Sequence, residues 1–506
     1  MHSHIHTISF RGIDTIPVSV QVHLSNGLPA MAIVGLADKA VGESRERVRA
    51  ALSSLGLALP AKRIAVNLSP ADIVKEGAHF DLPIALGVLV AMGALPQDAV
   101  DEHLVLGELS LDGSIQPVSG ILPAALCAAE RSQRLICPAE NGPEAAWGGD
   151  IDILAAGSLT ELLNHLRGTQ LLSPVKPGML NTPPSGPDMA DLRGQETARR
   201  AMEIAATGGH NLLMIGPPGA GKSMLAARLP DLLPPLSARE ALEVTVIHSI
   251  IGQVPKGGLC QKRPFREPHH SASMAALVGG GQKAMPGEIS LAHNGVLFLD
   301  ELAEFNRVAI DSLRQPLETG EIIIARANNH IRYPARFQLI AAMNPCRCGY
   351  LADASRACSR APDCARLYMA KVSGPMLDRF DIMIDVAELP PSELLSPSVA
   401  ENSASVHRRI LAAREFGAGR HNGSNSQVNA RLSADQIDRH IVLAPDIKRL
   451  LEEAMTKQKL SARGFHKVLR VAQTIADLER SETHQRHHVL EALSYRGVLL
   501  SGPLPG

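Results

Sequence analysis

The feature that most constrains how this chain can fold is a glycine-rich segment, Gly-Pro-Pro-Gly-Ala-Gly-Lys-Ser, at residues 216–223. An apolar run, Asn211–Ile215, precedes it, and a stretch with helical periodicity, Ser223–Leu233, follows it. The pattern G-x-x-x-x-G-K-[S/T] between a strand and a helix is typical of a loop whose backbone N–H groups surround a phosphate at a helix N-terminus. The surrounding alternation of helix and strand predicts a parallel α/β sheet.

The parts of this segment predict how a nucleotide is held. The Lys222 ammonium is expected to reach the β and γ phosphates, and the Ser223 hydroxyl to be a ligand of Mg²⁺. ATP and Mg²⁺ are therefore the predicted cofactors. The remaining loop positions are expected to contact the phosphates: Gly216, Pro217, Pro218, Gly219, Ala220 and Gly221.

Two more apolar runs end in polar residues. Val296–Leu299 is followed by Asp300 and Glu301, and a second run ends at Asn344. An acid after a buried strand is common, but together with the glycine loop it predicts that Asp300 helps to hold Mg²⁺. Glu301 would then orient and deprotonate the attacking water. Asn344 either contacts the γ-phosphate or positions that water; the alternative is an ordinary Asn-Pro turn.

The segment Leu377–Asp381 places Arg379 between two acids. One interpretation is a surface ion pair, which contributes little to stability. The other is an arginine finger that a subunit supplies to the ATP of its neighbour.

Bulk composition restricts the other function classes. The formal net charge is −1 and the aromatic content is 3%, so we expect neither a global basic field nor binding mainly by base stacking. The polar N-terminus does not read as a secretory signal. The apolar stretch Leu82–Leu95 is too short to span a bilayer and predicts a buried helix. The expectation is a cytoplasmic protein that does not bind membranes.

Proline-rich stretches and changes in periodicity suggest four segments. They are an N-terminal domain at 1–170, a linker at 171–190, an α/β core at 191–390 and a helical region at 391–506. In the first we expect strands at Val18–Val22 and Arg63–Leu68 and a helix at Ala40–Leu55. In the last, Pro445–Thr456 and Gly464–Arg480 predict helices.

Four of the seven cysteines lie close together in sequence, at Cys346, Cys348, Cys358 and Cys364. Four thiolates suit tetrahedral Zn²⁺, which makes them candidate zinc ligands. Their spacing is not that of paired C-x₂-C motifs, so free surface thiols in a loop remain the alternative.

The motifs at Gly216–Ser223, Leu299–Glu301, Asn344 and Leu377–Asp381 together resemble those of AAA+ ATPases. More specific segments, at 263–273, 279–281 and 286–293, resemble the magnesium-chelatase-related branch of that superfamily. Segments of the N-terminal third narrow the resemblance further, to the YifB/ComM family of Mg-chelatase-like proteins: Gly35–Asp38, Asn67–Pro70, Lys75–Gly77 and Gly107–Ser110.

This resemblance extends over essentially the whole chain and implies a function. Members of the ComM type act as hexameric helicases that drive branch migration during natural transformation. The expected partners are therefore other copies of the chain, in a homo-hexamer, and single-stranded or branched DNA. An ATPase of a metal-chelatase complex or a protein remodeller is the alternative, although the N-terminal third argues against a porphyrin substrate.

The resemblance also assigns individual residues and domains. Arg379 matches the arginine finger, and Arg463 matches the sensor-2 arginine of an all-α lid, with Arg470 as its rival. The N-terminal domain resembles the α+β proteolytic domain of Lon, which uses a Ser nucleophile and a Lys. Those positions are occupied by His79 and Leu122, so the domain is expected to be non-proteolytic; Ser119 with His79 is the alternative pair.

Related AAA+ motors direct a hairpin that precedes the Asn strand into a central pore. A hairpin around residues 328–329 is expected here, with Arg326, His330 and Arg332 contacting DNA phosphates. A second basic group either contributes to the same pore or forms a solvated face: Lys256, Lys262, Arg263 and Arg266.

Overall fold

The computed structural model of the protein forms two compact units. The first comprises residues 1–182, 237–261 and 325–332, and the second comprises 183–236, 262–324 and 333–506. The structure describes residues 2–180, 186–281, 284–326, 329–351, 356, 358–395, 400–419, 428–458 and 460–496.

The strands are β1 (His2–Arg11), β2 (Asp14–Ser25), β3 (Ala30–Val34), β4 (Arg63–Ser69), β5 (His103–Val105), β6 (Glu108–Leu109), β7 (Ile115–Gln116), β8 (Arg134–Pro138), β9 (Ile153–Ala156), β10 (Leu212–Ile215), β11 (Phe265–Arg266), β12 (Gly279–Gly280), β13 (Met285–Pro286), β14 (Val296–Leu299), β15 (Glu321–Arg326), β16 (Asn329–Pro334), β17 (Gln338–Met343) and β18 (Ile382–Asp385).

The α-helices are α1 (Lys39–Ser54), α2 (Asp81–Ala91), α3 (Asp98–Asp101), α4 (Ile121–Glu130), α5 (Gly142–Ala145), α6 (Leu159–Leu166), α7 (Glu196–Gly208), α8 (Lys222–Leu232), α9 (Ala238–Ile250), α10 (Met274–Val278), α11 (Glu288–Leu291), α12 (Arg307–Ser312), α13 (Arg314–Thr319), α14 (Asp363–Met369), α15 (Gly374–Leu377), α16 (Pro391–Leu395), α17 (Ser403–Ala418), α18 (Ala434–His440), α19 (Pro445–Gln458), α20 (Ala462–Leu478) and α21 (Arg486–Ser494). Short 3₁₀ helices lie at Ala78–Phe80, Ala139–Asn141, Met189–Asp191, Leu302–Glu304 and Asn429–Arg431.

The first unit is built on a seven-stranded mixed sheet in the order β3-β4-β2-β1-β5-β8-β9. Strand β2 runs antiparallel to both of its neighbours, β1 and β4. The other neighbouring pairs of this sheet are parallel: β3 with β4, β1 with β5, β5 with β8, and β8 with β9. Helix α2 is buried along its whole length, as its uninterrupted apolar sequence predicts. The expected strands within β2 and β4 and the helix α1 are confirmed.

Helix α9 lies far along the chain but packs in the first unit. A capping box of Ser237 and Glu240 begins it. At its other end the Ser249 hydroxyl donates to Glu144 Oε1 at 2.5 Å, and Gly120 N donates to Ser249 O at 2.9 Å. The first unit is therefore completed by residues that follow the glycine loop in sequence.

The residues at the Lon-like positions are buried in the first unit. His79 Nε2 lies 3.0 Å from the Ile8 carbonyl, and because a carbonyl only accepts, this nitrogen carries the proton. Burial lowers the pKa of His79 to about 4. Leu122 is fully buried in α4. The His79 Nε2–H group is thus committed to Ile8, which weakens the idea that it activates Ser119; the likeness to Lon remains a prediction.

The second unit contains a five-stranded sheet in the order β11-β14-β17-β10-β18, with every neighbouring pair parallel. The central strands β14, β17 and β10 are buried throughout. Because all five strands run the same way, their carboxyl ends share one edge and their amino ends share the other. This α/β arrangement, with the helices α17 to α21 following it, is consistent with an AAA+ core.

The C-terminal helices share a hydrophobic core with the parallel sheet. Ile410 of α17 and Val468 and Ile475 of α20 are fully buried in the same cluster as Ile340 of β17. The two helices predicted in this region are confirmed as α19 and α20. Within the described part of the chain, we find no helix both long enough and apolar enough to span a membrane.

Candidate active site

The glycine-rich segment connects the end of β10 to the start of α8. Gly221 has φ 86°, in the left-handed region that favours glycine. A Cβ on Gly216 would lie 2.1 Å from the Val386 carbonyl oxygen, so this position has no room for a side chain. The backbone therefore turns sharply and presents the N-terminus of α8, with its free N–H groups, at the carboxyl edge of the sheet.

Lys222 lies across this loop and is largely buried. Its Nζ donates to the carbonyl oxygens of Gly216 at 2.7 Å and Pro217 at 2.8 Å, and to Asn344 Oδ1 at 3.2 Å. Burial lowers the pKa of Lys222, while the charges of Asp300 and Glu301 oppose that shift. The structure thus brings together the loop lysine and the asparagine that follows β17.

Ser223 and Asp300 also meet at this edge. The Ser223 hydroxyl donates to Asp300 Oδ2 at 2.6 Å, and the other carboxylate oxygen accepts from Glu301 N at 2.8 Å. A hydroxyl beside a carboxylate is the hard oxygen donor set that Mg²⁺ prefers. The residues present therefore fit the ion that the family implies.

Glu301 lies beyond β14, not within the strand. Its φ is 53°, which is uncommon for a residue with a side chain, and about half of its side-chain surface is exposed. The Glu301 Oε2 atom lies 3.3 Å from His270 Nδ1. In the sequence, His270 belongs to the segment 263–273 that carries the family resemblance. Its spacing from Glu301 does not indicate that the two residues meet.

Arg379 lies at the opposite edge of the same sheet. Asn211, the residue before β10, donates from its side chain to Arg379 O at 3.0 Å, and its own carbonyl accepts from Asp381 N at 2.9 Å. The phosphate loop begins after the other end of that strand. A four-residue strand spans about 13 Å, so the Arg379 backbone and the phosphate loop of the same chain lie at opposite ends of β10.

Arg463 is found with Arg379. Both donate to Glu318 Oε1 of α13, Arg463 through NH2 at 3.1 Å. Arg379 is 8% exposed, and burial lowers its pKa. The two arginines that the sequence singled out are therefore neighbours, and the glutamate between them had no recognisable sequence signal.

A buried network fixes the segment that carries Arg379 to helix α20. Lys467 Nζ lies 3.0 Å from Asp381 Oδ1 and 3.1 Å from the Phe380 carbonyl. Burial opposes ionisation of Asp381, but Lys467 and His210 outweigh it and hold the pKa of that carboxyl well below its usual range. Burial lowers the pKa of Arg470, while the charge of Asp381 opposes that shift.

The cysteines form a cluster directly after Asn344. Cys346 is fully buried, and its Sγ lies 3.1 Å from that of Cys348. These two sulfurs and that of Cys364 all lie within 4.8 Å of one another, and Cys358 is within hydrogen-bonding reach of Cys348 and Cys364. Three of the four thiols thus converge, with Cys358 beside them, although the sequence spacing was irregular.

The cysteine segment also touches the phosphate loop. Gly349 has φ 84°, and a Cβ there would lie 2.4 Å from Pro218 Cδ. This close approach links the turn at Cys346–Gly349 to the loop that begins at Gly216.

The candidate DNA residues are only partly described. The strands β15 and β16 pair as a two-stranded sheet, but residue 328 and the side chain of Arg326 lie outside the described part of the structure. His330 and Arg332 are exposed and alternate with buried Ile331 and Tyr333. Two exposed basic groups therefore share one face of β16.

The second basic group is largely engaged in structural contacts. Arg266 makes two bonds to Glu288, at 2.5 and 2.7 Å. Lys262 pairs with Asp231 at 3.2 Å, and Arg263 donates to the carbonyls of Pro234 and Asn294. These contacts argue against a pore-lining role for Arg266, Lys262 and Arg263. Lys256 is exposed.

Family models identify the class of protein to which this geometry belongs. Residues 188–394 match magnesium chelatase, subunit ChlI; residues 20–141 match subunit ChlI of Mg-chelatase; and residues 400–496 match the ChlI C-terminal region. Members of this class are AAA+ ATPases, which supports ATP hydrolysis and dependence on Mg²⁺.

Curated relatives narrow the class. YifB of Salmonella typhimurium is 43% identical over 496 residues, 98% of this chain and 97% of that protein. Competence protein ComM of Haemophilus influenzae is 44% identical over 494 residues, 96% of each chain. The magnesium-chelatase 38 kDa subunit of Rhodobacter capsulatus is 28% identical over 169 residues, 30% of this chain and 48% of that one. The chain belongs to the YifB/ComM family of Mg-chelatase-like proteins.

Proposed function

We propose that this protein is an ATP-driven DNA motor in which ATP is shared between adjoining copies of the chain, six in the complete ring. The observation that carries the proposal is the separation of two half-sites on one sheet. Lys222, Ser223, Asp300 and Asn344 meet at the carboxyl edge, whereas Arg379 lies at the amino edge. A second copy is the natural source of the arginine that the first half-site lacks.

The residues of the carboxyl edge have distinct roles in hydrolysis. Lys222 and the loop N–H groups bind the phosphates, and Asn344 holds the attacking water or the γ-phosphate. Water attacks the γ-phosphorus, the bond to the ADP oxygen breaks, and Glu301 accepts the proton of the water. Ser223 and Asp300 would hold Mg²⁺, which would neutralise negative charge on the phosphates.

The neighbouring subunit supplies Arg379, whose guanidinium neutralises charge that develops on the transferred phosphoryl group. Arg463 shares the Glu318 carboxylate with Arg379. The subunit that supplies Arg379 would therefore also bring Arg463 to the ATP of its neighbour. A sensor-2 arginine that acts on its own subunit's ATP would need to move away from this position.

DNA is the proposed substrate of the motion. The likeness to a protein named for competence over the whole chain supports it, as do the exposed His330 and Arg332 on β16. Repeated around a ring, these groups would form a basic lining that a neutral monomer does not show. Branch migration of recombining strands during transformation is the process that this proposal implies.

The experiment that tests the proposal is ATPase rate with single-stranded DNA, with a four-way junction and with neither. We expect stimulation by DNA, and its loss in a His330→Ala/Arg332→Ala variant that still hydrolyses ATP. A rate that ignores every DNA would contradict the DNA motor but leave the ATPase in place.

A metal-chelatase ATPase is the second candidate, favoured by the match of residues 188–394 to the magnesium-chelatase subunit. It predicts ATPase stimulation by a partner chelatase subunit and no response to DNA. The same DNA titration therefore separates the two functions.

We also propose that the cysteine cluster holds one Zn²⁺. Cys346, Cys348 and Cys364 lie within 4.8 Å of one another, and Cys358 would supply the fourth sulfur of a tetrahedral structural zinc site. Because Gly349 packs on Pro218, the ion would stiffen the phosphate loop from outside the reacting atoms.

Zinc content of the purified protein tests this site. One equivalent is expected in the unmodified protein and in the control Cys127→Ser, and much less in Cys346→Ser and Cys348→Ser. Unmodified protein that contains no stoichiometric zinc would refute the site.

A further inference from the structure

Two arginines share one glutamate at the amino edge of the second unit's sheet, and a third arginine, Arg314, lies about one turn before that glutamate on α13. We call Arg314, Arg379, Arg463 and Glu318 the arginine cluster. Glu318 Oε1 accepts from both Arg379 and Arg463. Burial and the charge of Glu318 affect the pKa of Arg379 most. The charges of Arg463, Arg314 and Asp378 follow, in that order. Positive charge therefore remains in excess.

Arg379 is not fully satisfied in this arrangement. It is buried, yet its Nε has no hydrogen-bond partner among the residues that the structure describes. Leaving a buried donor unpaired costs free energy that a further acceptor would recover. The cluster thus has both an excess of charge and an unused N–H group, two independent signs that it accommodates an anion.

Glu318 itself is easily moved. Its side chain, on the short helix α13, is 50% exposed. Because solvent reaches half of the Glu318 side chain, its ion pairs are partly screened, so another anion with more oxygens can replace it. A terminal phosphate offers three oxygens to guanidinium groups, which bind such oxyanions in pairs of parallel hydrogen bonds.

We propose that Glu318 is a displaceable counter-ion. The terminal phosphate of ATP on an adjoining copy of the chain replaces it on Arg379 and Arg463, and Arg314 is a third cation of the same anion site. This inference rests on the proposed sharing of ATP between subunits. The terminal phosphate must displace Glu318 before it binds the two arginines.

The exchange makes subunit contact depend on the nucleotide. ADP has no terminal phosphate at that position, so it leaves Glu318 on the arginines. ATP competes for them and draws the two subunits together. Glu318 thereby sets how strongly an ATP-bound interface is preferred to an ADP-bound one, and Arg314 acts in the opposite direction.

The experiment is ATPase rate per subunit, measured against protein concentration at saturating ATP. In Glu318→Gln the competitor loses its charge, so half-maximal activity should come at a concentration about fivefold lower, with a maximal rate within about twofold of the original. Arg314→Ala should raise that concentration. Glu452→Gln, an exposed glutamate on α19, is the matched control and should change neither quantity.

Two results would overturn the inference. If Glu318→Gln lowers the maximal rate as far as Arg379→Ala does, Glu318 positions the arginines and does not compete with phosphate. If neither Glu318→Gln nor Arg314→Ala shifts the concentration dependence, the cluster has no such role. Full activity of Arg379→Ala would instead refute the shared site itself, so the two failures are distinguishable.

Discussion

The two edges of the parallel sheet in the second unit differ in how completely their charges are satisfied. At the carboxyl edge, Lys222 and Ser223 each have good partners within the chain. At the amino edge, Arg379 and Arg463 share a single carboxylate oxygen, and the Arg379 Nε has no hydrogen-bond partner among the residues that the structure describes.

This difference shows which edge needs a partner. The carboxyl edge is a preorganised cradle whose side chains are held ready by neighbours within the chain. The amino edge presents an excess of positive charge on a segment that the buried ion pair of Asp381 and Lys467 holds to helix α20. The first is built to receive phosphate, and the second to bring charge to a phosphate held elsewhere.

The largest effect is expected at the carboxyl edge. Lys222→Ala removes the charge that faces the β and γ phosphates, so ATP binding and hydrolysis should fall to background. Fluorescent-nucleotide binding together with phosphate release measures both. Retained hydrolysis would show that this loop is not the site.

At the amino edge, Arg379→Ala should reduce the maximal ATPase rate by about 10³-fold, the lower end of the range for arginine fingers. Nucleotide binding to a dissociated subunit should change little because the cradle remains intact. The matched control is Arg408→Ala, an exposed arginine on α17. Loss of binding equal to the loss of rate would argue against a purely catalytic role.

Glu301→Gln should lower the maximal rate by about 10²-fold while ATP stays bound, because a neutral amide cannot accept the proton of water. A pre-steady-state assay of bound and cleaved nucleotide measures this. His270→Ala should have a smaller effect, since His270 contacts the Glu301 carboxylate and does not itself take the proton of the water. An unchanged rate in Glu301→Gln would assign the base elsewhere.

The smallest effect on catalysis is expected from Asp381, which contacts Lys467 at the amino edge. Its substitution should mainly lower stability. Asp381→Asn leaves the Lys467 ammonium buried without its counter-charge, which should cost about 3 kcal/mol of unfolding free energy. Because the pKa of Asp381 is lowered, this stabilisation is present above the usual aspartate pKa and is lost as the pH falls below it. Denaturant unfolding of both proteins across that pH range measures it, and equal acid sensitivity would contradict the assignment.

The carboxyl edge could be predicted from sequence because its residues follow buried strands in a recognisable order. Parallel strands bring their ends to one edge, so Lys222, Asp300 and Asn344 had to meet. The parallel sheet and the helical C-terminal region followed from the same periodicities. The family resemblance, confirmed by the comparisons, could be recognised from contiguous segments.

Other features depended on tertiary packing that no local pattern encodes. Glu318 meets Arg463 across a wide gap in sequence, and His270 meets Glu301, whose own backbone is left-handed. The placement of α9 in the first unit was equally hidden, since its sequence continues directly from the helix after the glycine loop. Long-range side-chain contacts of this kind have no periodicity to detect.

The most direct test of the shared site is a mixture of two inactive variants, Lys222→Ala and Arg379→Ala. A Lys222→Ala subunit still supplies the arginine, and an Arg379→Ala subunit still supplies the phosphate loop. Random mixing in equal amounts should restore roughly a quarter of the original ATPase rate, because one interface in four combines an intact loop with an intact arginine. A mixture as inactive as its components, under conditions where both assemble, would contradict the sharing of ATP between subunits.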